Sequence, residues 1–148
     1  VIVAICGPPG AGKTTVATRV RRRLEERDSP VCLFHSDDFS SRTYEQLAER
    51  VDEAPADAIT LVDGTFYRRE WQTRFRTLGT VRFVLITASL ETCLERNRER
   101  ADAIDEQGVH VVFREFEEPD PDIEIDTERC GPDETVDLVM AGLESWLH

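Results

Sequence analysis

One lysine stands among seventeen arginines, and it falls inside the run Gly7-Pro8-Pro9-Gly10-Ala11-Gly12-Lys13-Thr14. The run matches G-x-x-x-x-G-K-[ST], a pattern that makes a loop whose backbone N–H groups converge on one anion. Glycine is a steric requirement in such a loop, because the chain must adopt conformations that a Cβ forbids. In this reading Lys13 reaches the β- and γ-phosphates of ATP, and Thr14 offers its hydroxyl to Mg²⁺. A helix opening at the same point adds the positive end of its dipole to the anion site.

Further along, Asp37 and Asp38 follow a second apolar run, and Asp63 closes a third. One of Asp37 and Asp38 is expected to face the γ-phosphate from the acceptor side and take a proton from a hydroxyl; the alternative is a turn or capping pair. Asp63 is expected to order Mg²⁺ directly or through water. Arg96 and Arg100 lie four residues apart on one helix face, and they are expected to close over the triphosphate as a lid around residues 96–110. Arg68 and Arg69, just beyond the third strand, are placed to bind an anionic group on the acceptor. Arg21, Arg22 and Arg23 read as solvated helix charges near Glu25 and Glu26. His35, His110 and His148 have no evident partner in sequence, which points to structural or surface roles.

The elements that must position these residues follow from hydrophobic periodicity. Apolar runs at 1–6, 31–36, 58–62, 81–87 and 123–126 predict five strands. Helices are predicted over 15–27, 43–54, 68–78, 90–100, 104–116 and 132–147, with Ser89 as a cap and Pro132 in a first turn. In the fifth of these, Gly108 and the β-branched Val109, Val111 and Val112 count against a helix. Alternating strands and helices specify a five-stranded parallel sheet with helices on both faces, the α/β architecture of a P-loop NTPase. Its ligands bind beyond the carboxyl ends of the strands.

A length of 148 residues predicts one domain, 1–148. The chain opens on Val1, so leading residues are expected to precede it. Cys6, Cys32, Cys93 and Cys130 lack any C-x-x-C spacing and read as ordinary thiols of a reducing compartment. No apolar run reaches the ~18 residues of a membrane span and no signal peptide opens the chain, so a soluble, cytoplasmic protein without a membrane partner is expected. The formal charge of −12 disfavours nucleic acid as a partner. Near-absence of lysine with abundant Asp and Glu also suits a halophilic cytosol, where the Debye length is about 3 Å at 1 M salt.

The segments Gly7 to Thr15, Ser36-Asp37-Asp38, Val62-Asp63-Gly64-Thr65, Arg96-Asn97-Arg98-Glu99-Arg100 and Phe116-Glu117-Glu118-Pro119 together resemble a group of P-loop kinases. That group includes seryl-tRNA(Sec) kinase, the 5′-kinase domain of phage polynucleotide kinase and, more distantly, adenylylsulfate kinase. The resemblance implies Asp37 as the base, Thr15 as part of the nucleotide site, and Arg96 and Arg100 as the two arginines of an R-N-x-x-R lid. It departs at Ser40, where the first two kinases carry an arginine; Arg42 follows two positions later and is counted with Asp38 on the acceptor side.

The combined expectation is an ATP- and Mg²⁺-dependent kinase of a small hydroxyl acceptor, with adenylylsulfate as the first candidate. Alternatives are a kinase of RNA or DNA ends or of tRNA-linked serine, and a nucleotide-dependent regulatory switch. The sequence leaves the oligomeric state open.

Overall fold

The computed structural model describes residues 1–100 and 103–147; positions 101 and 102, within the expected lid, and His148 lie outside the described residues. The most apolar strand takes the middle of the sheet. β1 (Ile2–Cys6) pairs in parallel with β3 (Ile59–Gly64) on one side and β4 (Val81–Thr87) on the other. β2 (Val31–His35) and β5 (Ile123–Asp126) complete the edges, giving the order β2-β3-β1-β4-β5, all parallel. The helices are α1 (Lys13–Glu26), α2 (Thr43–Glu53), α3 (Arg69–Arg76), α4 (Leu90–Glu99), α5 (Glu106–Glu115) and α6 (Pro132–Leu147).

Because strand side chains alternate between faces, β1 feeds two cores. Val3 and Ile5 pack with Val16, Val20 and Leu24 of α1 and with Val136, Val139 and Leu143 of α6. Ala4 and Cys6 pack on the opposite face with Leu47 and Val51 of α2 and Phe75 of α3. β2, as an edge strand, is only half-buried along its length. Among the described residues no helix is long and apolar enough to cross a membrane.

Several local expectations shift. The first helix starts at Lys13, because Gly12 caps it in the left-handed conformation (φ 102°) and the loop feeds directly into the first turn. Ser36–Asp38 forms a 3₁₀ turn. Arg23 is not simply solvated: with Arg19 it bridges α1 to α6, pairing with Asp137 at 2.6 Å; Arg27, just past α1, pairs with Glu144 of α6, and Arg21 pairs with Glu25 at 3.3 Å along its own helix. These pairs are exposed and therefore weak and salt-sensitive.

α5 forms despite its poor helix formers because tertiary packing overrides propensity. Asp105 caps it by accepting from the Gln107 N–H, and Val109 and Val112 are buried beneath it. Asn97 of α4 fixes its approach. The buried Asn97 amide donates to the Ile104 carbonyl at 2.8 Å, and its oxygen accepts from the Ile104 N–H at 3.1 Å. Asn97→Ala should therefore cost about 1–3 kcal/mol of stability, the penalty for stranding paired polar groups. Denaturant unfolding should show the loss, with faster amide exchange at Ile104; an unchanged midpoint would show that the staple is redundant.

Candidate active site

The carboxyl ends of β1, β2 and β3 open onto two adjoining cavities. Residues 7–12 form the loop between β1 and α1, threaded through a gap too narrow for side chains at two points. A Cβ on Gly7 (φ 151°) would meet the Ile86 carbonyl oxygen at 2.1 Å, and one on Gly10 (φ 85°) would meet that of Cys93 at 2.5 Å. The loop thus presents bare backbone at the start of α1, the geometry for cradling phosphate. Pro9, Gly10, Gly12, Lys13, Thr14 and Thr15 line the first cavity, of about 760 Å³, while Gly7, Pro8 and Ala11 are buried behind it.

Lys13 is only half-buried, and its ammonium donates to the Pro8 carbonyl at 2.9 Å. Desolvation of that ammonium pushes its pKa down to about 8, against the opposing pull of Asp63 and Asp37. Asp63 shifts the other way: burial raises its pKa, and His35 and Lys13 partly offset the rise. His35 lies opposite Asp63 in the β2–β3 register and hydrogen-bonds its carboxylate through Nδ1. The partner that sequence did not show for His35 is thus Asp63; His35 closes β2, Asp63 stands one residue before the end of β3, and register alone brings them together.

The residues fit a nucleotide with its metal. Thr14 and Asp63 line the cavity beside Lys13, a hydroxyl and a carboxylate of the hard-oxygen kind that Mg²⁺ takes together with phosphate oxygens and water. Cys6 and Cys93 are buried thiols pushed up to about 12 and about 11 by burial, in keeping with inert roles.

Arg96 of α4 and Arg100, the residue just past its end, do different things. Arg96 Nη1 donates to the carbonyls of Gly10 (3.3 Å) and Ala11 (3.2 Å) and to the Thr127 hydroxyl (3.1 Å), so it grips the outer side of the loop. The Thr127 hydroxyl in turn lies 3.1 Å from the Ala11 carbonyl and 3.0 Å from that of Thr87, tying the loop to the ends of β4 and β5. Arg100 sits at the mouth of the cavity with Nη2 3.5 Å from the Asp37 carboxylate. Of the two arginines expected in the lid, Arg96 holds the loop carbonyls and Arg100 lies beside Asp37 at the first cavity.

The second cavity, of about 910 Å³, shares Ser36, Asp37 and Thr65 with the first. Arg42, expected on the acceptor side, lines it; Asp38, Arg68 and Arg69 line neither cavity. In a 3₁₀ turn successive side chains point about 120° apart, so Asp37 and Asp38 diverge. Arg68 and Arg69 are carried away by the turn at Phe66, whose φ of 48° is held by its N–H donating to the Tyr44 hydroxyl (2.9 Å) and its carbonyl accepting from Gln72 (2.8 Å). Arg69 instead faces Glu117 at 3.7 Å and Arg68 lies over Tyr67. Sequence reading missed Tyr44, Trp71 and Arg74, which also line the second cavity. Helical spacing made Tyr44 legible as an inward residue, but nothing local signalled that the cavity lay beside it.

A parallel sheet in this order, with a phosphate loop after its central strand and an arginine-bearing helix over the loop, defines the kinase-type P-loop NTPase fold. A family model described as an AAA domain matches residues 2–119, and the chain belongs to that family. Among solved structures it is similar to the Mycobacterium tuberculosis APS kinase CysC in complex with AMPPNP and APS, with 21% identity, TM-score 0.78, and coverage of 97% of this chain and 96% of that one. A sugar kinase from Janibacter sp. HTCC2649 gives 20% identity, TM-score 0.76, and coverage of 97% and 94%. Kti12 from Chaetomium thermophilum in complex with ADP-AlF3 gives 16%, 0.73, and coverage of 95% and 98%. No curated protein matches the chain. At these identities the likeness establishes the fold.

Two outcomes follow from the geometry. A phosphate group held at Lys13 would pair with its ammonium form, and that form is depleted as pH rises through about 8. Nucleotide affinity should therefore be flat below about pH 7 and weaken by up to about tenfold per unit above pH 8, with proton uptake on binding. Calorimetric titration would show this slope in the wild type and none in Lys13→Ala; equal slopes would remove Lys13 from the site. Separately, Arg96→Ala should weaken nucleotide binding about tenfold, or ~1.4 kcal/mol, by releasing the loop. Arg98→Ala, which breaks only an exposed pair with Glu106, should leave binding within about twofold.

Proposed function

We propose that the protein is an ATP- and Mg²⁺-dependent kinase that transfers the γ-phosphoryl group to a hydroxyl of a small molecule held in the second cavity. The observation that carries this reading is the position of Asp37. Its carboxylate is largely exposed and lines both cavities at their junction, where an acceptor hydroxyl and a γ-phosphate would meet. A switch protein needs a nucleotide cavity alone; an adjoining cavity of ligand size, with a carboxylate at the boundary, supports transfer.

Asp37 accepts the proton of the acceptor hydroxyl as its oxygen attacks the γ-phosphorus, and the bond to the ADP oxygen breaks on the opposite side. Lys13 and the loop N–H groups hold the β- and γ-oxygens in line. Arg100, exchanging Asp37 for the transferring group, neutralises charge and leaves the carboxylate unpaired to take its proton. Thr14 and Asp63 would hold Mg²⁺, which supplies charge neutralisation between the phosphates. His35 fixes the Asp63 carboxylate in place.

Adenylylsulfate, the first candidate by resemblance, is an acceptor the assay must include, and the APS kinase neighbour supports including it. Ends of nucleic acid are opposed by the formal charge of −12.

Asp37→Asn should lower the transfer rate at saturating substrate by about a hundredfold or more, the usual contribution of a general base, and leave the KM for ATP within about threefold. Transfer from γ-labelled ATP, in low and in molar salt, reads both parameters. If Asp38→Asn alone reproduces the loss, the base is the neighbouring carboxylate. If the wild type hydrolyses ATP yet phosphorylates no hydroxyl compound, the kinase reading fails in favour of a switch.

A further inference from the structure

We propose that the occupant of the second cavity carries no anionic group: it is an uncharged polyhydroxyl ring, a sugar or a nucleoside, lying along Trp71 with one hydroxyl toward Asp37. The proposal rests on the kinase reading for the cavity's role. The class of occupant is argued from the lining.

The charged groups on that lining are four carboxylates, Asp37, Glu45, Glu49 and Glu70, and two guanidinium groups, Arg42 and Arg74. Arg42 is engaged by Glu45, with Nε and Nη2 at 2.7 and 2.6 Å from the same carboxylate oxygen. A phosphate, sulfate or carboxylate on the acceptor would thus find Arg74 as its one guanidinium partner not paired with a lining carboxylate, and would meet Glu49 and Glu70 on the same wall. Ionised carboxylates only accept hydrogen bonds. A ligand complementary to them must donate, and hydroxyl groups donate where anionic oxygens cannot. Arg74, which lines the same cavity, is the group that counts against a cationic occupant.

The aromatic wall supplies the other half of the argument. Trp71 is stacked on Tyr44 with ring centroids 4.2 Å apart and planes 13° apart, and Tyr67 meets it edge-on at 5.1 Å. The indole is therefore held rigidly while its half-exposed surface lines the cavity. A fixed aromatic surface opposite hydrogen-bond acceptors suits a ring with an apolar face and a hydroxyl rim. The volume of about 910 Å³ accommodates a monosaccharide or a nucleoside.

The chain has two tryptophans, Trp71 and Trp146, so Trp146→Phe leaves Trp71 as the sole indole reporter. In that background, glucose, ribose, adenosine and uridine are titrated beside gluconate, ribose 5-phosphate, AMP and adenylylsulfate at one fixed ionic strength. The same panel is offered to the wild type with γ-labelled ATP. At least one uncharged compound should saturate the Trp71 signal and bind at least tenfold more tightly than its anionic counterpart, with the sugar and nucleoside arms separating the two sources. Combined Glu49→Gln and Glu70→Gln substitution should narrow that ratio at least threefold. An anionic compound binding as tightly as its uncharged counterpart, or a Trp71 signal that no uncharged compound perturbs, overturns the proposal. Saturable binding of an uncharged ring that receives no phosphate supports the class of occupant and defeats the kinase reading; preferred transfer to an anionic acceptor does the reverse.

Discussion

The close passage of the phosphate loop between β4 and α4 is the constraint on which the remainder of the site depends. Where a Cβ on Gly7 would lie 2.1 Å from one carbonyl and a Cβ on Gly10 2.5 Å from another, the loop has no freedom to move outward. The contact works in both directions. It fixes the path of the loop backbone beside the cavity, and it seats the start of α4 against the loop at Cys93, which is wholly buried. From that seat Arg96, three residues on, reaches the loop carbonyls, and Arg100, just past the end of α4, lies at the first cavity. The small residues of the motif thus position the cations of a helix more than eighty residues away in sequence.

The electrostatics of the nucleotide side have a matching logic. Burial acts on Lys13 and Asp63 in opposite directions, lowering the one pKa and raising the other, so both are pushed toward their neutral forms. Their mutual attraction and the His35 contact only partly restore the charges. Each group is underserved by the protein alone and would be better served by a phosphate oxygen or a metal ion. A satisfied internal ion pair would compete with ligand for the same charges, whereas this arrangement leaves them available.

The parts of the molecule that were legible in sequence are those fixed by local chemistry. The loop glycines, the Ser89 cap, and the strand-end carboxylates Asp37 and Asp63 each announce themselves through residue type and immediate neighbours, and all five strands stand where apolar runs predict them. What was not legible depends on pairing across the sheet or packing between helices. His35 meets Asp63 only because β2 and β3 align those two positions. Asn97 reads as one polar residue in a charged helix, and its burial follows from where α5 docks. Arg68 and Arg69 were expected at the site because they follow β3 closely, but Phe66 enters the left-handed region, which a bulky residue does only when surrounding contacts compel it. Those contacts come from Tyr44 and Gln72, on two other helices, and no window of sequence around Phe66 contains both.

The same distinction separates the two halves of the candidate active site. The nucleotide half is built largely from backbone: the glycine-rich loop, its carbonyls held by Arg96, and the N-terminus of α1. Its specificity is inherent in a short pattern and is shared by folds that carry it. The half formed by the second cavity is built from side chains of α2, α3 and the turns before them, with Arg42, in left-handed backbone, on its lining. Substitutions on those helices can change charge and shape without disturbing the sheet or the loop. Tyr44 is where the halves join, since its ring supports Trp71 while its hydroxyl holds the Phe66 N–H and lies 3.3 Å from Thr65 Oγ1, on the shared wall of the two cavities. Burial drives that phenol up to about 12, keeping it protonated and able to donate. A change in how the wall of the second cavity packs would therefore be felt first at Thr65 and Asp37, the residues beside Tyr44 that line both cavities.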